Sequence, residues 1–388
     1  MPSSSVFVYA LVAGMLFTGT VNTILNKYQV LQCVENCDDP DASQRKYFEQ
    51  PIWQTLNMFI GEALCLLVYY ISLYSESAKS SPAVSSHSSI IHPDDHEEAG
   101  VVGTSAAGES TPLISAHEDG AAPAPAMTGW QNFLLWLPTL CDMTSTTLMS
   151  VGLIYISASV YQMLRGSVVL FTGTFSVLFL GHRHPLHRWI ALCLVFIGVG
   201  LVGASSILDG ERVSGSWLGF FLVVFAQIFT ATQFVIEEKI MSSFEVPALK
   251  AVGLEGTFGF VTTLGLMPIL YYTIGKSGPP GNFFDLPVGY QQVFGTPAVL
   301  TAAVGIIFSI AFFNWFGLSV TKTLSATSRS TIDTCRTLFI WIVSLALGWE
   351  SFKWLQVLGF IVLIYGTFVF NDVVQLPFLG SGHESHSD

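Results

Sequence analysis

Three carboxylates stand inside long apolar runs of the sequence: Glu62 beside Gly61, Glu255 beside Gly256, and Asp142 in Leu140-Cys141-Asp142-Met143-Thr144. None has a Lys or Arg within a helical turn. In bilayer hydrocarbon a charged side chain costs roughly 2.5–3.5 kcal/mol by insertion scales, so each is a candidate for function. A carboxylate in that setting can load and unload a proton or meet a cationic group; it can also serve as a protonated, hydrogen-bonded packing residue. Tyr161, Gln162 and Arg165 share one helix face by their spacings of three and four. Arg165 has no acid within a turn, so its partner lies on another helix or on a solute; a guanidinium fits a carboxylate or phosphate. Arg329, Asp333 and Arg336 share a face in the same way, and that trio reads equally as a site or as a set that neutralises itself.

Other patterns carry less chemistry. His182, His184 and His187 fall in Gly181-His182-Arg183-His184-Pro185-Leu186-His187-Arg188, an interfacial basic turn by its proline and arginines. No zinc-type spacing occurs, so no metal is expected. Gly275-Lys276-Ser277 imitates the end of a nucleotide-binding loop, but Leu270 stands where the motif needs its first glycine. Without a nucleophile elbow either, the chain reads as no enzyme and as needing no cofactor. Of six Cys, Cys33 and Cys37 share a polar loop; a disulfide, if that loop faces an oxidising lumen, and a solvated thiol pair both fit.

The elements that must position these groups follow from composition. The 388 residues are 51% hydrophobic, only 11% charged, with mean hydropathy +0.57. A soluble surface needs roughly a quarter charged residues, so the lipid bilayer is the first partner, and with no basic patch nucleic acid is excluded. Apolar runs of spanning length, about 20 residues, fall near 6–25, 51–74, 131–153, 158–180, 188–208, 215–236, 250–274, 293–317, 325–347 and 353–373. The first reads as a retained helix. Alternating ten-residue segments are absent, which removes a β-barrel.

Residues 75–129 hold eight acids against Lys79 alone and read as a disordered acidic loop. Within it Glu109-Ser110-Thr111-Pro112-Leu113-Ile114 resembles an acidic dileucine sorting signal, with Glu109, Leu113 and Ile114 as its determinants and sorting adaptors as partners. The short polar breaks carry seven Lys and Arg on one side and six on the other, which leaves orientation open; a cytosolic N-terminus puts the signal where adaptors reach it. Nothing sets an oligomeric state.

The halves resemble each other. Ser157-Ala158-Ser159 opens the fourth run and Ser325-Ala326-Thr327 the ninth. Phe175-Ser176-Val177-Leu178-Phe179-Leu180-Gly181 parallels Ile342-Val343-Ser344-Leu345-Ala346-Leu347-Gly348, each followed by a polar turn and a Trp, Trp189 or Trp354. A five-helix unit used twice enters the membrane from opposite sides. The expected fold is an all-α membrane protein of ten transmembrane helices in two inverted five-helix repeats: 1–74 as the first two helices, the loop 75–129, 130–209 as helices three to five, 210–374 as repeat two, and a disordered tail 375–388.

Ten helices in two such repeats resemble the drug/metabolite transporter superfamily, with its EamA-like and nucleotide-sugar-transporter-like members. More narrowly, Gly19-Thr20-Val21-Asn22-Thr23, Asp142-Met143-Thr144, Tyr161-Gln162-Met163-Leu164-Arg165-Gly166, Phe171-Thr172-Gly173, Ser319-Val320-Thr321-Lys322 and Leu345-Ala346-Leu347-Gly348-Trp349-Glu350 resemble solute carrier family 35, subfamily F, of the member-six type. The resemblance covers nearly every helix and implies a solute carrier of endomembranes, lysosomal or vacuolar, with mitochondria as a second location. The tail lacks the dilysine ending of some Golgi relatives. The expectation is a secondary transporter for a small-molecule substrate, its cavity lined by Glu62, Asp142, Tyr161, Gln162, Arg165, Glu255, Asp333 and Arg336. Glu62, Asp142 and Glu255 are the proton-coupling candidates. The competing class is a membrane adaptor whose charged pairs only lock the bundle.

Overall fold

The computed structural model describes residues 3–41, 44–79, 125–156, 158–208, 216–277, 282–348, 353–372 and 374. The chain is a helical bundle: α1 (Ser3–Val30), α2 (Pro51–Lys79), α3 (Trp136–Tyr155), α4 (Ala158–Arg165), α5 (Val168–Leu180), α6 (Leu186–Leu208), α7 (Ser216–Ser243), α8 (Ala248–Thr273), α9 (Leu286–Gly295), α10 (Pro297–Thr323), α11 (Ala326–Ala346) and α12 (Trp354–Phe370). Helix is what an apolar chain adopts in lipid, since it satisfies every backbone donor and acceptor internally. The sorting-like string Glu109, Leu113, Ile114 and the tail lie outside the described residues.

Each expected run overlaps a helix. By length and hydropathy, seven spans among the described residues can cross a membrane, and α12 is a shorter apolar helix. The chain is an integral, multi-pass membrane protein. Two long helices are not among the seven: α11 holds Arg329, Asp333 and Arg336, and α3 is rich in Ser and Thr. On α3 the hydroxyls of Thr144, Thr146, Thr147 and Ser150 each donate to the carbonyl four residues back at 2.8 Å, so little of that polarity is left unsatisfied.

Three details go beyond the sequence reading. The 158–180 run is broken: α4 ends at Arg165 and α5 begins at Val168, with three-residue hydrogen bonds Met163 O to Gly166 N (3.1 Å) and Leu164 O to Ser167 N (3.0 Å) between them. The break falls on Gly166-Ser167, a pair at which helices kink, and packing there is close: a Cβ on Gly166 would lie 2.7 Å from Leu363 Cδ2 and 3.1 Å from Thr334 Cγ2. The loop after α1 is not purely irregular; Cys33–Glu35 and Lys46–Tyr47 pair antiparallel, Cys33 and Cys37 are disulfide-bonded, and Lys46 Nζ meets Glu35 Oε2 at 2.8 Å. The short α9 precedes α10, which starts afresh at Pro297, a residue suited to a first helical turn.

The most extensive helix pairs are α6 with α12, α2 with α8, α3 with α7 and α1 with α10; α5 with α7, α1 with α11, α2 with α10 and α3 with α8 also pack. The α2–α8 seam is built on Gly253, Gly256 and Gly259, which lie against Leu66, the Glu62–Ala63 backbone and Phe59. Small residues three apart let two backbones approach closely. That approach brings Glu62 and Glu255 to one level of the bundle.

Candidate substrate cavity

A small cavity lies where α2, α3, α7, α8, α10 and α11 meet. Its polar wall is Glu62, Asp142, Glu255, Gln233, Asn314 and Arg329, with Phe59, Val252 and Leu318 as the apolar part. Its volume is about 10 Å³, room for about one water molecule. The conformation is closed around the site.

Each wall residue is held by its helix. Glu62, 4% exposed, accepts a hydrogen bond from Asn314 Nδ2 of α10. Glu255, 8% exposed, has a carboxylate oxygen, Oε1, with no hydrogen-bond partner. Thr139 Oγ1 fixes the α3–α8 contact, lying 2.9 Å from its own Leu135 carbonyl and 3.2 Å from that of Glu255. Arg329 forms a buried ion pair with Glu237 of α7, whose Oε1 also accepts from Gln233 Nε2 at 2.9 Å. The Arg329 guanidinium lies 4.2 Å over the Phe234 ring, and its Nε has no hydrogen-bond partner.

A second polar set adjoins on α11. Asp333 takes Arg336 at 2.6 Å, one turn along the same helix, and Arg165 of α4 at 3.9 Å. Arg336 also donates to Gly19 O (3.3 Å) and Thr23 Oγ1 (3.2 Å) of α1 and lies 4.8 Å over Phe313. Arg165 therefore finds its acid on another helix, beside the α4–α5 break. Arg329 does not join the trio expected on its own helix; Glu237 takes it instead. Tyr161 packs against the apolar cluster of Val160, Leu164 and Phe360, and Gln162 has a buried Oε1 without a hydrogen bond. Glu62, Asp142 and Glu255 thus come together at the cavity and Arg165, Asp333 and Arg336 in the adjoining set; Tyr161 on α4 is within electrostatic reach of Arg336, and Gln162 is not among the residues lining the cavity.

The pattern of helices and buried charge has relatives. The family model described as Triose-phosphate Transporter family matches residues 113–371. The chain belongs to the triose-phosphate transporter family. Solute carrier family 35 member F6 of Homo sapiens is 38% identical over 374 residues, 94% of this chain and 89% of the human one. The Mus musculus protein of the same name is 37% identical over 92% of this chain and 86% of its own. An uncharacterised Schizosaccharomyces pombe protein is 35% identical over 94% and 97%. A crystal structure of a protein 11% identical shares the fold at a TM-score of 0.51, covering 94% of this chain and 96% of that one. The expected resemblance to the drug/metabolite transporter superfamily and to solute carrier family 35 is therefore established.

Within this triose-phosphate transporter family member, residues around the cavity go beyond those the sequence pattern singles out. Glu237 falls just past a run ending at 236, because Glu237-Glu238-Lys239 looks like a polar break; α7 continues to Ser243. The spacing Gln233 to Glu237 is the available signal, one face of one helix. Asn314, inside an apolar run of α10, is legible as a polar intrusion by the same reasoning as Glu62.

Proposed function

We propose that the chain is a solute carrier that moves a small polar organic solute by alternating access between two five-helix halves. In that reading α1, α2, α3, α4–α5 and α6 correspond to α7, α8, α10, α11 and α12. Exchanging the halves turns the α1–α10 pair into α7–α3, α5–α7 into α11–α1 and α2–α10 into α8–α3, while α2–α8 and α6–α12 return to themselves; each is a packed pair. This exchange symmetry supports an inverted repeat of ten spans, the arrangement in which sites form between halves at broken helices. Arg165, at the α4–α5 break, has that setting.

The observation that carries the proposal is the buried charge. Glu62, Asp142, Glu237, Glu255 and Asp333 are five acids set against Arg165, Arg329 and Arg336, and one oxygen of Glu255 is left without a partner in the cavity. Uncompensated charge in a low-dielectric interior is too costly to persist, so the surplus is balanced by protons or by a cationic solute at Glu62, Asp142 or Glu255. Arg165, held at 3.9 Å, is the more loosely engaged guanidinium of its set and suits an anionic part of the solute, with Tyr161 and Gln162 on the same helix. The closed cavity must widen to take an organic solute, and the α4–α5 break gives a hinge beside it.

No enzymatic reaction is proposed. The membrane we propose is lysosomal, vacuolar or another endomembrane, with mitochondria second, on the strength of the sorting-like string and the family resemblance; sorting adaptors would meet 75–129. The adaptor alternative draws on the pairs Glu237–Arg329 and Asp333–Arg336, which lock helices together whatever else they do. Proteoliposomes with an entrapped pH-sensitive dye separate the two readings. A solute panel should include one compound that drives proton movement in the wild type and fails to in Glu255→Gln and Arg165→Ala, each folded as judged by its melting curve. A panel that moves nothing in any of the three, with all three folded, leaves the adaptor reading standing.

A further inference from the structure

A second cavity, of about 390 Å³, opens at the end of the bundle where α5 passes into α6. Its walls are His182, Arg183 and Arg188 of the turn, Ser325 and Ser328 at the start of α11, and Asn371 beyond α12. The turn is held by local bonds. Gly181 closes α5 in the left-handed conformation (φ +73°), His182 N–H donates to Ser176 O at 3.2 Å, and Pro185 leads into α6. His184 is locked inward: Ser176 Oγ donates to Gly173 O, so it accepts from His184 Nε2 at 3.0 Å, leaving Nδ1 to face Arg188 Nη1 at 3.4 Å.

The acids beside this cavity are already committed. Glu238 accepts from the Ala326 N–H at 2.5 Å and faces His182 Nε2 at 3.6 Å. Asp372 takes Arg188 at 2.6 Å and His187 at 2.7 Å. The first turn of α11 is capped by its own Ser325 as well, whose Oγ accepts from Ser328 N–H at 3.1 Å. Arg183 is different: it is exposed and makes no ion pair among the described residues, and Arg188 Nε lacks a hydrogen-bond partner. The exposed guanidinium of Arg183 and the mutually hydrogen-bonded hydroxyls of Ser325 and Ser328 (2.9 Å) thus line one preformed space, beside the charge of Arg188, whose own N–H groups are buried or already engaged. Beside it, Phe179 and Leu186 point outward, 64% and 68% exposed, as lipid-facing side chains do at the level where hydrocarbon gives way to headgroups.

We propose that this cavity binds a phosphate monoester, with Arg183 as its principal cation and donor, the Ser325–Ser328 hydroxyl pair as a further donor, and Arg188 adding positive charge beside them. Arginine matches the geometry of a phosphate with paired N–H groups, and the apolar flank suits an acyl chain attached to it. The same chemistry is offered by a lipid headgroup and by soluble phosphate.

Native mass spectrometry of the full chain in detergent tests the proposal with three probes: dioctanoyl phosphatidic acid, dioctanoyl phosphatidylcholine and inorganic phosphate. Phosphatidic acid should bind the wild type about tenfold more tightly than Arg183→Gln, the loss expected for one charged hydrogen bond, while phosphatidylcholine does not distinguish them. Arg183→Lys, which keeps the charge, should recover part of the affinity. Competition by inorganic phosphate at similar concentration assigns the site to soluble phosphate; failure to compete assigns it to lipid, and both keep the site. Arg183 is exposed, so Arg183→Gln should melt like the wild type without ligand. Equal affinity of wild type and Arg183→Gln for both phosphate probes overturns the proposal.

Discussion

Glu237 on α7 and Arg329 on α11 form an ion pair with both partners buried, and the next residue of α7, Glu238, grips the same turn of α11 through the Ala326 N–H. Two consecutive carboxylates of one helix thus hold the start of another, one from inside the bundle and one from its rim. Removing one member of a buried pair strands the other, which is far more damaging than removing both. Glu237→Gln or Arg329→Met alone should each destabilise the detergent-solubilised protein by about 3–5 kcal/mol. The double variant should regain most of that loss. Unfolding curves of all four proteins give the coupling; single-variant losses near those of an exposed pair, under about 1 kcal/mol, would show that water reaches it.

The seam that sets Glu62 against Glu255 depends on Gly256. A Cβ there would come 2.5 Å from the Glu62 carbonyl carbon, which a packed backbone cannot yield cheaply. Gly256→Ala should therefore cost about 1–3 kcal/mol by overpacking. Gly265, on the same helix with nothing within 4 Å of where an alanine methyl would stand, is the matched control. Gly265→Ala should be neutral or gain up to about 1 kcal/mol from helix propensity. Equal effects at the two positions in a melting experiment would remove the close α2–α8 approach as the reason for the glycine.

Much of this architecture is readable in the sequence because oil imposes one rule: long apolar runs become helices, and polar residues inside them stand out. Glu62, Asp142 and Glu255 are visible for that reason, as is the need of Arg165 for a partner on another helix. Glu237 is hidden because hydropathy marks where a helix leaves the membrane only to within a turn, and a charged pair near that edge looks like the edge itself. The α4–α5 break is hidden as well. Hydropathy runs straight through it; its local trace is the Gly166-Ser167 pair, and the nearness of Leu363 and Thr334, which leaves no room for a Cβ at Gly166, is a long-range contact. The Cys33–Cys37 pairing is undecided in the sequence because spacing alone fits both states.

The rim offers a pH-dependent element. Burial, and then the neighbouring Arg188, hold His184 below the ordinary imidazole value, so the fold favours its neutral form. Below about pH 6.5 the unfolded chain takes up a proton at this residue that the native one resists. The unfolded state then binds more protons, and stability falls as pH falls. The wild type should lose melting temperature between about pH 7 and 5.5; His184→Gln, which does not titrate, should show a smaller decline over the same window. Parallel declines of the two proteins would place the acid sensitivity elsewhere.

The disulfide predicts a direction. Cys33 and Cys37 are bonded in the loop between α1 and α2, and disulfides persist on the oxidising side of a membrane. The same loop brings Phe48 against Val293 and Val299, at the α9–α10 end of the bundle. Lumenal exposure of that end would put the start of α1, and the chain leaving α2 at Lys79, on the cytosolic side. In the proposed ten-span arrangement, where α1, α2, α3, α4–α5 and α6 alternate in direction, it would also turn the Arg183 cavity toward the cytosol. An alkylating reagent applied to freshly isolated, acid-quenched membranes should modify Cys33 and Cys37 only after reduction, as read by peptide mass. Modification without reductant would mean that the loop faces a reducing compartment, and the orientation of every helix would then be reversed.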